Sequence, residues 1–419
     1  MLIFLVCTDP VCTDPVFTVP VLLCLEIFNN YIDESCKLMF LKSNYFYFVI
    51  LLSFFISPEL SAVVVNRIIK TIAVGDSPSA ITITPNGRFA YVANDNNDGL
   101  VNGDTISVID LETNTVIKTI SDPSFTPALG FNQPYTVTIN ASGSKVYITN
   151  SNSTTITIID TATNTITGYI TGFDGPSGMV ITPDGNRAYV NEYGSPAGVG
   201  SGNGTTVRVV DLTTNLIVGP AITVGLAPAA LDITPNGSYV YVINYTTGNT
   251  GAGTISIIDT STNTVVGPTI TGLSGPYAIQ ITSDGRYAYV TNFGSNNFSP
   301  VGQTVSVIDL QKNSIVDTIT VGTQPSGIAF SPSGRFAYVT NYNTLYLGAG
   351  FTNLTPGQGT VSIIDTCTNT VLCTQLLTGS SPAAIAISQD GQYAYVTNYS
   401  SNNVNVIDIY DKMWLNICK

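Results

Sequence analysis

The chain has 419 residues, only 10% of them charged, with 14 Lys plus Arg against 27 Asp plus Glu, a net charge of −13 and no histidine. That balance excludes a nucleic-acid-binding role, which wants clustered basic residues, and disfavours anionic membrane surfaces. The missing histidine excludes an imidazole general base, a serine–histidine pair, imidazole haem ligation and histidine-bound zinc.

The first 62 residues differ in kind from the rest. Val6-Cys7-Thr8-Asp9-Pro10 is echoed by Val11-Cys12-Thr13-Asp14-Pro15, with no strand pattern around it. From Met39 a better-formed element begins: Lys42, then a mostly apolar run from Tyr45 to Ile56, then Ser57 to Ala62. The run is too short for a relaxed membrane span but suits the apolar core of a secretory signal. The expectation is a non-structural or untranslated 1–38, a signal peptide over 39–62 and a mature, extracytoplasmic chain with no membrane insertion; the rival is an uncleaved anchor. Four cysteines lie upstream of Met39, leaving Cys367, Cys373 and Cys418. Cys367 and Cys373 flank a hairpin turn, and a bridge or free thiols are both open there.

Beyond Val63 one pattern recurs seven times. Its anchors are Gly87, Gly143, Gly185, Gly237, Gly285, Gly334 and Gly391, spaced by 56, 42, 52, 48, 49 and 57 residues. Each glycine precedes an aromatic-valine core at Tyr91, Tyr147, Tyr189, Tyr241, Tyr289, Tyr338 and Tyr395. A run of alternating polar and β-branched residues then ends in aspartate, from Asp110 to Asp408. Period-two alternation makes strands, and a period near fifty makes an array of supersecondary units. The first copy reads as strands over Ser79 to Thr84, Phe89 to Ala93, Thr105 to Ile109 and Thr115 to Ile120. Asp-x-x-Thr-Asn between the third and fourth strands is turn chemistry.

A four-stranded unit cannot bury both faces alone, so the fold class is all-β: a seven-bladed β-propeller over 63–409 followed by a tail, 410–419. After Asp408 the last copy lacks its fourth strand, and Asn66 to Ile72 matches the fourth strand Asn114 to Ile120. Strand 66–74 is therefore expected to pair with Val404 to Ile407 and close the ring. Tyr-Val-Thr-Asn at Tyr289, Tyr338 and Tyr395 resembles the YVTN-repeat β-propeller family of surface-layer and other extracytoplasmic proteins. That resemblance implies a binding or surface-structural module. The lack of histidine and of a catalytic motif adds the expectation that it is non-catalytic, and its loop face that of a protein or glycan partner, with no cofactor unless calcium binds. Some propeller lactonases are similar in fold, but members relying on histidine find no counterpart here. The alternative is a periplasmic hydrolase or lactonase-like enzyme using carboxylates such as Glu192 and Asp232, or a bound metal, in the axial channel.

The copies differ most between their second and third strands, at loops sharing one face, the usual place for recognition on a rigid ring. Five copies put an aromatic residue after the repeat asparagine or its substitute: Tyr193, Tyr245, Phe293, Tyr342 and Tyr399. Such a partial ring suits stacking on sugars or peptide groups, or simple packing between blades. Glu192 replaces the repeat asparagine in the third copy only, as a ligand-facing carboxylate or as drift. Asn94, Asn96, Asp98 and Asp104 crowd oxygen ligands around Gly99 like a calcium loop, but Thr105 stands where the bidentate Glu belongs, and a plain turn is the simpler reading.

Overall fold

The computed structural model describes residues 67–95, 104–122, 130–194, 203–245, 252–294, 301–343 and 358–409. The expectations for 1–62, for 410–419 and for Asn96 and Asp98 lie outside these residues. The described strands form seven antiparallel sheets, each running inner, second, third, outer. Blade 1 is Pro78–Ile83, Phe89–Asn94, Thr105–Asp110 and Thr115–Ile120, within a residue or so of the sequence reading. Blades 2 to 7 begin at Pro134, Pro176, Pro228, Pro276, Pro325 and Pro382. In blade 4 the outer strand is split into Thr264–Val265 and Ile270–Ser274 around Gly267-Pro268, whereas blade 3 carries Gly219-Pro220 within the unbroken outer strand Leu216–Thr223. Among the described residues the one helix is the single 3-10 turn Tyr399–Ser401.

The ring closes as expected. Arg67–Ala73 pairs with Asn403–Asp408, placing Ile68 opposite Ile407 and Ile72 opposite Val404. Asn405 Nδ2 donates to Thr71 Oγ1 at 3.0 Å, and Asn402 Nδ2 to Asp76 Oδ1 at 2.6 Å.

The repeated residues are the scaffold. All seven repeat glycines turn with positive φ, from 69° at Gly391 to 74° at Gly185 and Gly237, where an L side chain is strained. The turn aspartates accept amides: Asp110 Oδ1 takes Glu112 N and Thr113 N at 2.9 and 3.2 Å. These donors hold the Asp110 carboxyl below its usual range, as Thr163 N does for Asp160. An apolar cluster fills each of the seven blade interfaces. The cluster at the closure joins Ile72, Val404 and Val406 of blade 7 to Ile81, Val92 and Ile109 of blade 1.

The tyrosine of the repeat stitches neighbours together. Its ring is buried in its own interface, and its hydroxyl donates to the left-handed asparagine of a turn in the next blade. Tyr91 reaches Asn164 at 2.5 Å, Tyr241 reaches Asn313 at 2.8 Å, Tyr289 reaches Asn369 at 2.6 Å and Tyr395 reaches Asn114 at 3.0 Å. Tyr241→Phe is expected to cost about 1 kcal/mol, the net worth of one such bond. Asn313→Ala should cost more, since alanine pays for the left-handed backbone too, and the double variant should fall short of the sum. Additive losses in a urea-denaturation cycle would show that this stitch is not a coupled pair.

Candidate functional site

Each inner strand starts with proline, and the residue before it is left-handed in all seven blades: Ser77, Gln133, Gly175, Ala227, Gly275, Gln324 and Ser381, at φ of 51° to 59°. This turns a carbonyl toward the residue that follows the repeat asparagine. Asp95 N, Ser151 N, Tyr193 N, Tyr245 N, Phe293 N, Tyr342 N and Tyr399 N donate to those carbonyls at 2.9 to 3.0 Å. The same backbone bond thus sets seven side chains in a ring at the loop-face mouth of the axis. All seven are half-buried.

The five aromatics singled out in the sequence occupy this ring. Phe293 and Tyr342 lie 5.9 Å apart between centroids, Tyr342 and Tyr399 6.3 Å, with tilted rings. Tyr277 packs on Phe293 at 5.2 Å. Tyr245 Oη donates to Gly294 O at 2.9 Å, and Tyr399 Oη to Asp95 Oδ2 at 3.3 Å. These rings both touch the neighbouring blade and stay partly open at the mouth.

Sequence reasoning missed the second tier of the site. The residue after the inner proline is Ser79, Ser177 and Ser326 in blades 1, 3 and 6, each donating to the next blade's proline carbonyl at 2.8 to 3.2 Å. In blades 2 and 5 it is Tyr135 and Tyr277, which instead meet each other: Tyr135 Oη donates to Tyr277 Oη at 3.0 Å. Blades 2 and 5 stand three apart in a ring of seven, so this bond spans the axial mouth and divides it. On the side of blades 3 and 4 a cavity of about 190 Å³ is lined by Gln133, Tyr135, Ser151, Ser177, Tyr193, Ala229, Tyr245 and Tyr277. On the other side stand Asp95, Tyr342 and Tyr399. The available signal was the Pro-Tyr pair at Pro134-Tyr135 and Pro276-Tyr277, where other copies read Pro-Ser or Pro-Ala.

The electrostatics centre on Asp95. Burial pushes its carboxyl up to about 6, with the Tyr399 hydroxyl pulling the other way. Its Oδ1 is buried and has no hydrogen-bond partner among the described residues. Burial also pushes Tyr135 well above the usual phenol value and raises Tyr277, the latter offset by the bond from Tyr135.

The expected carboxylates do not converge. Glu192 is buried within blade 3, where Oε1 accepts Asp174 N at 3.0 Å and Oε2 accepts Thr206 Oγ1 at 2.6 Å. Arg208 Nε lies 3.8 Å from Glu192 Oε1. Glu192 is therefore engaged inside its blade instead of facing a ligand. Asp232 staples blade 4 to blade 5: Oδ1 accepts Ile233 N at 2.8 Å and Oδ2 accepts Ile281 N at 2.7 Å, and burial pushes it up to about 6. Of the calcium-loop residues, Asn94 Nδ2 donates to Thr105 Oγ1 and Ser107 Oγ at 3.0 Å each, while Asp104 Oδ2 accepts Gln133 N at 3.1 Å. Among the described residues no three His, Cys, Asp or Glu side chains gather as a metal site.

Seven four-stranded antiparallel blades closed on one axis define the chain as a seven-bladed β-propeller. The family model described as Lactonase, 7-bladed beta-propeller matches residues 59–181 and 299–416, more than half of the chain, and the chain belongs to that family. This corrects the expectation of a non-catalytic module: lack of histidine removes imidazole chemistry, not catalysis. Among curated proteins of Mycobacterium tuberculosis (strain ATCC 25618 / H37Rv), the chain is 47% identical to the PE-PGRS family protein PE_PGRS18 over 53 residues, 13% of this chain and 11% of that protein. It is 26% identical to the seven-bladed beta-propeller protein Rv1057 over 156 residues, 36% of this chain and 34% of that protein. The chain thus spans about a tenth and about a third of the curated relatives it matches. Among solved structures, Kuenenia stuttgartiensis hydrazine synthase superposes with a TM-score of 0.65 at 22% identity, over 80% of this chain and 96% of that one. At that identity the likeness is one of fold alone.

Proposed function

We propose that the chain is a lactonase-like hydrolase that opens a small cyclic ester in the axial mouth. The observation that carries this reading is the Tyr135–Tyr277 hydroxyl pair at the wall of the 190 Å³ cavity, a volume suited to a small ring compound. Tyr277 accepts from Tyr135 and so keeps its own proton to donate. That proton is aimed at an ester carbonyl oxygen, where negative charge develops as water adds to the carbonyl carbon. A donor fixed beforehand in a water-poor site stabilises that charge without reorganising. Tyr135 disperses the charge passed to Tyr277, since chained hydrogen bonds strengthen one another. The ring C–O bond then breaks, the carbonyl re-forms as Tyr277 keeps its proton, and the proton lost by the attacking water ends on the released ring oxygen, giving a hydroxy acid. Ser151 and Ser177 line the cavity and donate to Gln133 O and Pro228 O. Water is taken as the nucleophile.

A site outside the cytoplasm belongs to the same proposal. It is supported by the signal-like segment 39–62, by the surface-layer likeness of the repeat and by the disulfide at Cys367, a bond typical of oxidising compartments.

The test is hydrolysis of a panel of five- and six-membered lactones, followed by pH-stat titration, with wild type and Tyr277→Phe. Turnover by wild type with kcat/KM reduced about 10²-fold in the variant is expected, the usual loss for one oxyanion donor. No turnover across the panel, or an unchanged variant, overturns the reading.

A further inference from the structure

We propose that the compartment of the mouth bounded by Asp95 and the rings of Phe293, Tyr342 and Tyr399 binds an organic ammonium group. It goes beyond the hydrolase reading, because it occupies the opposite side of the Tyr135–Tyr277 pair from the cavity.

The seven ring positions and the seven positions after the inner prolines contain no lysine or arginine, and Asp95 is their one carboxylate. Its Oδ2 is held by Tyr399, its Oδ1 is buried without a partner, and no ion pair reaches it among the described residues. Burial raises the hydroxyls of Tyr135, Tyr277, Tyr342 and Tyr399, and the negative charge of Asp95 adds a smaller push to each, so the carboxylate sits within reach of the aromatic cluster. A buried charge needs a counter-charge, and here the chain does not supply one.

The walls choose the kind of cation. A calcium ion takes six to eight oxygens and magnesium an octahedron of them, whereas this compartment offers one carboxylate and aromatic rings. Contiguous rings at 5.2, 5.9 and 6.3 Å present π-surface from three adjacent blades. An alkylated ammonium gains from both features: Coulomb attraction to Asp95 and cation–π contact with the rings, which grows as the cation is desolvated.

The experiment uses the full chain and isothermal titration with tetramethylammonium and choline, with sodium chloride at equal ionic strength and 3,3-dimethylbutanol, the uncharged analogue of choline, as controls. Saturable binding of both cations is expected, with the neutral analogue about 10-fold weaker or worse. Asp95→Asn keeps the shape and the acceptor for Tyr399 while removing the charge, and should weaken choline about 10-fold. Tyr342→Leu, which keeps the charge and removes a ring, should weaken it several-fold and serves if Asp95→Asn fails to fold. Choline affinity should also fall as pH drops through about 6, because the ionised carboxylate is the binding form. Equal binding of choline and its neutral analogue, no binding by wild type at millimolar concentration, or unchanged affinity in both variants would overturn the proposal. Lactone turnover is a separate readout, so failure here leaves the hydrolase reading standing and the reverse also holds.

Discussion

Removing residues 67–75 will lower the melting temperature by about 5 °C or more and will make the protein prone to self-association. Without that segment the strand Asn403–Asp408 keeps its bonds to Tyr393–Asn398 but exposes its other edge, a template for pairing with another chain. The structure buries Ile72 at 5% exposure and packs Val74 against the same cluster, while Ile68 and Ile69 remain 37% and 42% exposed. Two side chains at about 1.5 to 3 kcal/mol each put the apolar share near 3 to 6 kcal/mol, an upper estimate against a compact unfolded chain. For a domain of this size about 1.5 °C per kcal/mol follows from the usual unfolding entropy. Ile72→Ala alone should account for about half of the loss. A differential scan in which the truncated chain melts with the wild type would remove the closing role of this strand.

The second large effect is expected at Glu192. In the other blades the repeat asparagine donates to a hydroxyl or amide oxygen on the third strand: Asn94 to Ser107, Asn150 to Thr157, Asn244 to Ser256, Asn292 to Ser306, Asn341 to Ser362 and Asn398 to Asn405. Blade 3 has changed both partners, with Glu192 in the asparagine place and Arg208 in the serine place. Arg208 Nε is buried with no hydrogen bond of its own, so the Glu192 carboxylate is what compensates it. Glu192→Asn alone should cost about 3 kcal/mol, because a partly buried charge is left without its partner. Arg208→Ser alone should also destabilise, leaving the carboxylate in the same position. The pair together restores the pattern of the other blades and should come within about 1 kcal/mol of wild type. A double variant as weak as the sum of the two singles in chemical denaturation would show that the two side chains are not coupled.

These two cases separate what the chain spells out from what it leaves to assembly. The strand repeat was legible because every copy states the same local rules: a glycine that must turn left-handed, a tyrosine two strands can share, an aspartate that collects turn amides. The closing strand was legible for the same reason, as a fourth strand found out of order. Glu192 was legible as an exception but not as a structural one, since Arg208 lies on a different strand and only the ladder sets the two side by side. The aromatic residues after the repeat asparagine were visible too, though their gathering into one ring depends on seven backbone bonds that no single copy reveals.

By itself the sequence determined the blade, the number of blades and the way the ring closes, because each of these rests on short-range patterning and turn chemistry. It also ruled out imidazole chemistry by composition. Only the tertiary structure decided which side chains share the axis. Tyr135 and Tyr277 are separated by more than a hundred residues and three blades, and Asp95 meets Tyr399 from opposite ends of the propeller. Such meetings follow from ring closure, which brings every inner strand to one axis, and closure is a property of all seven blades at once.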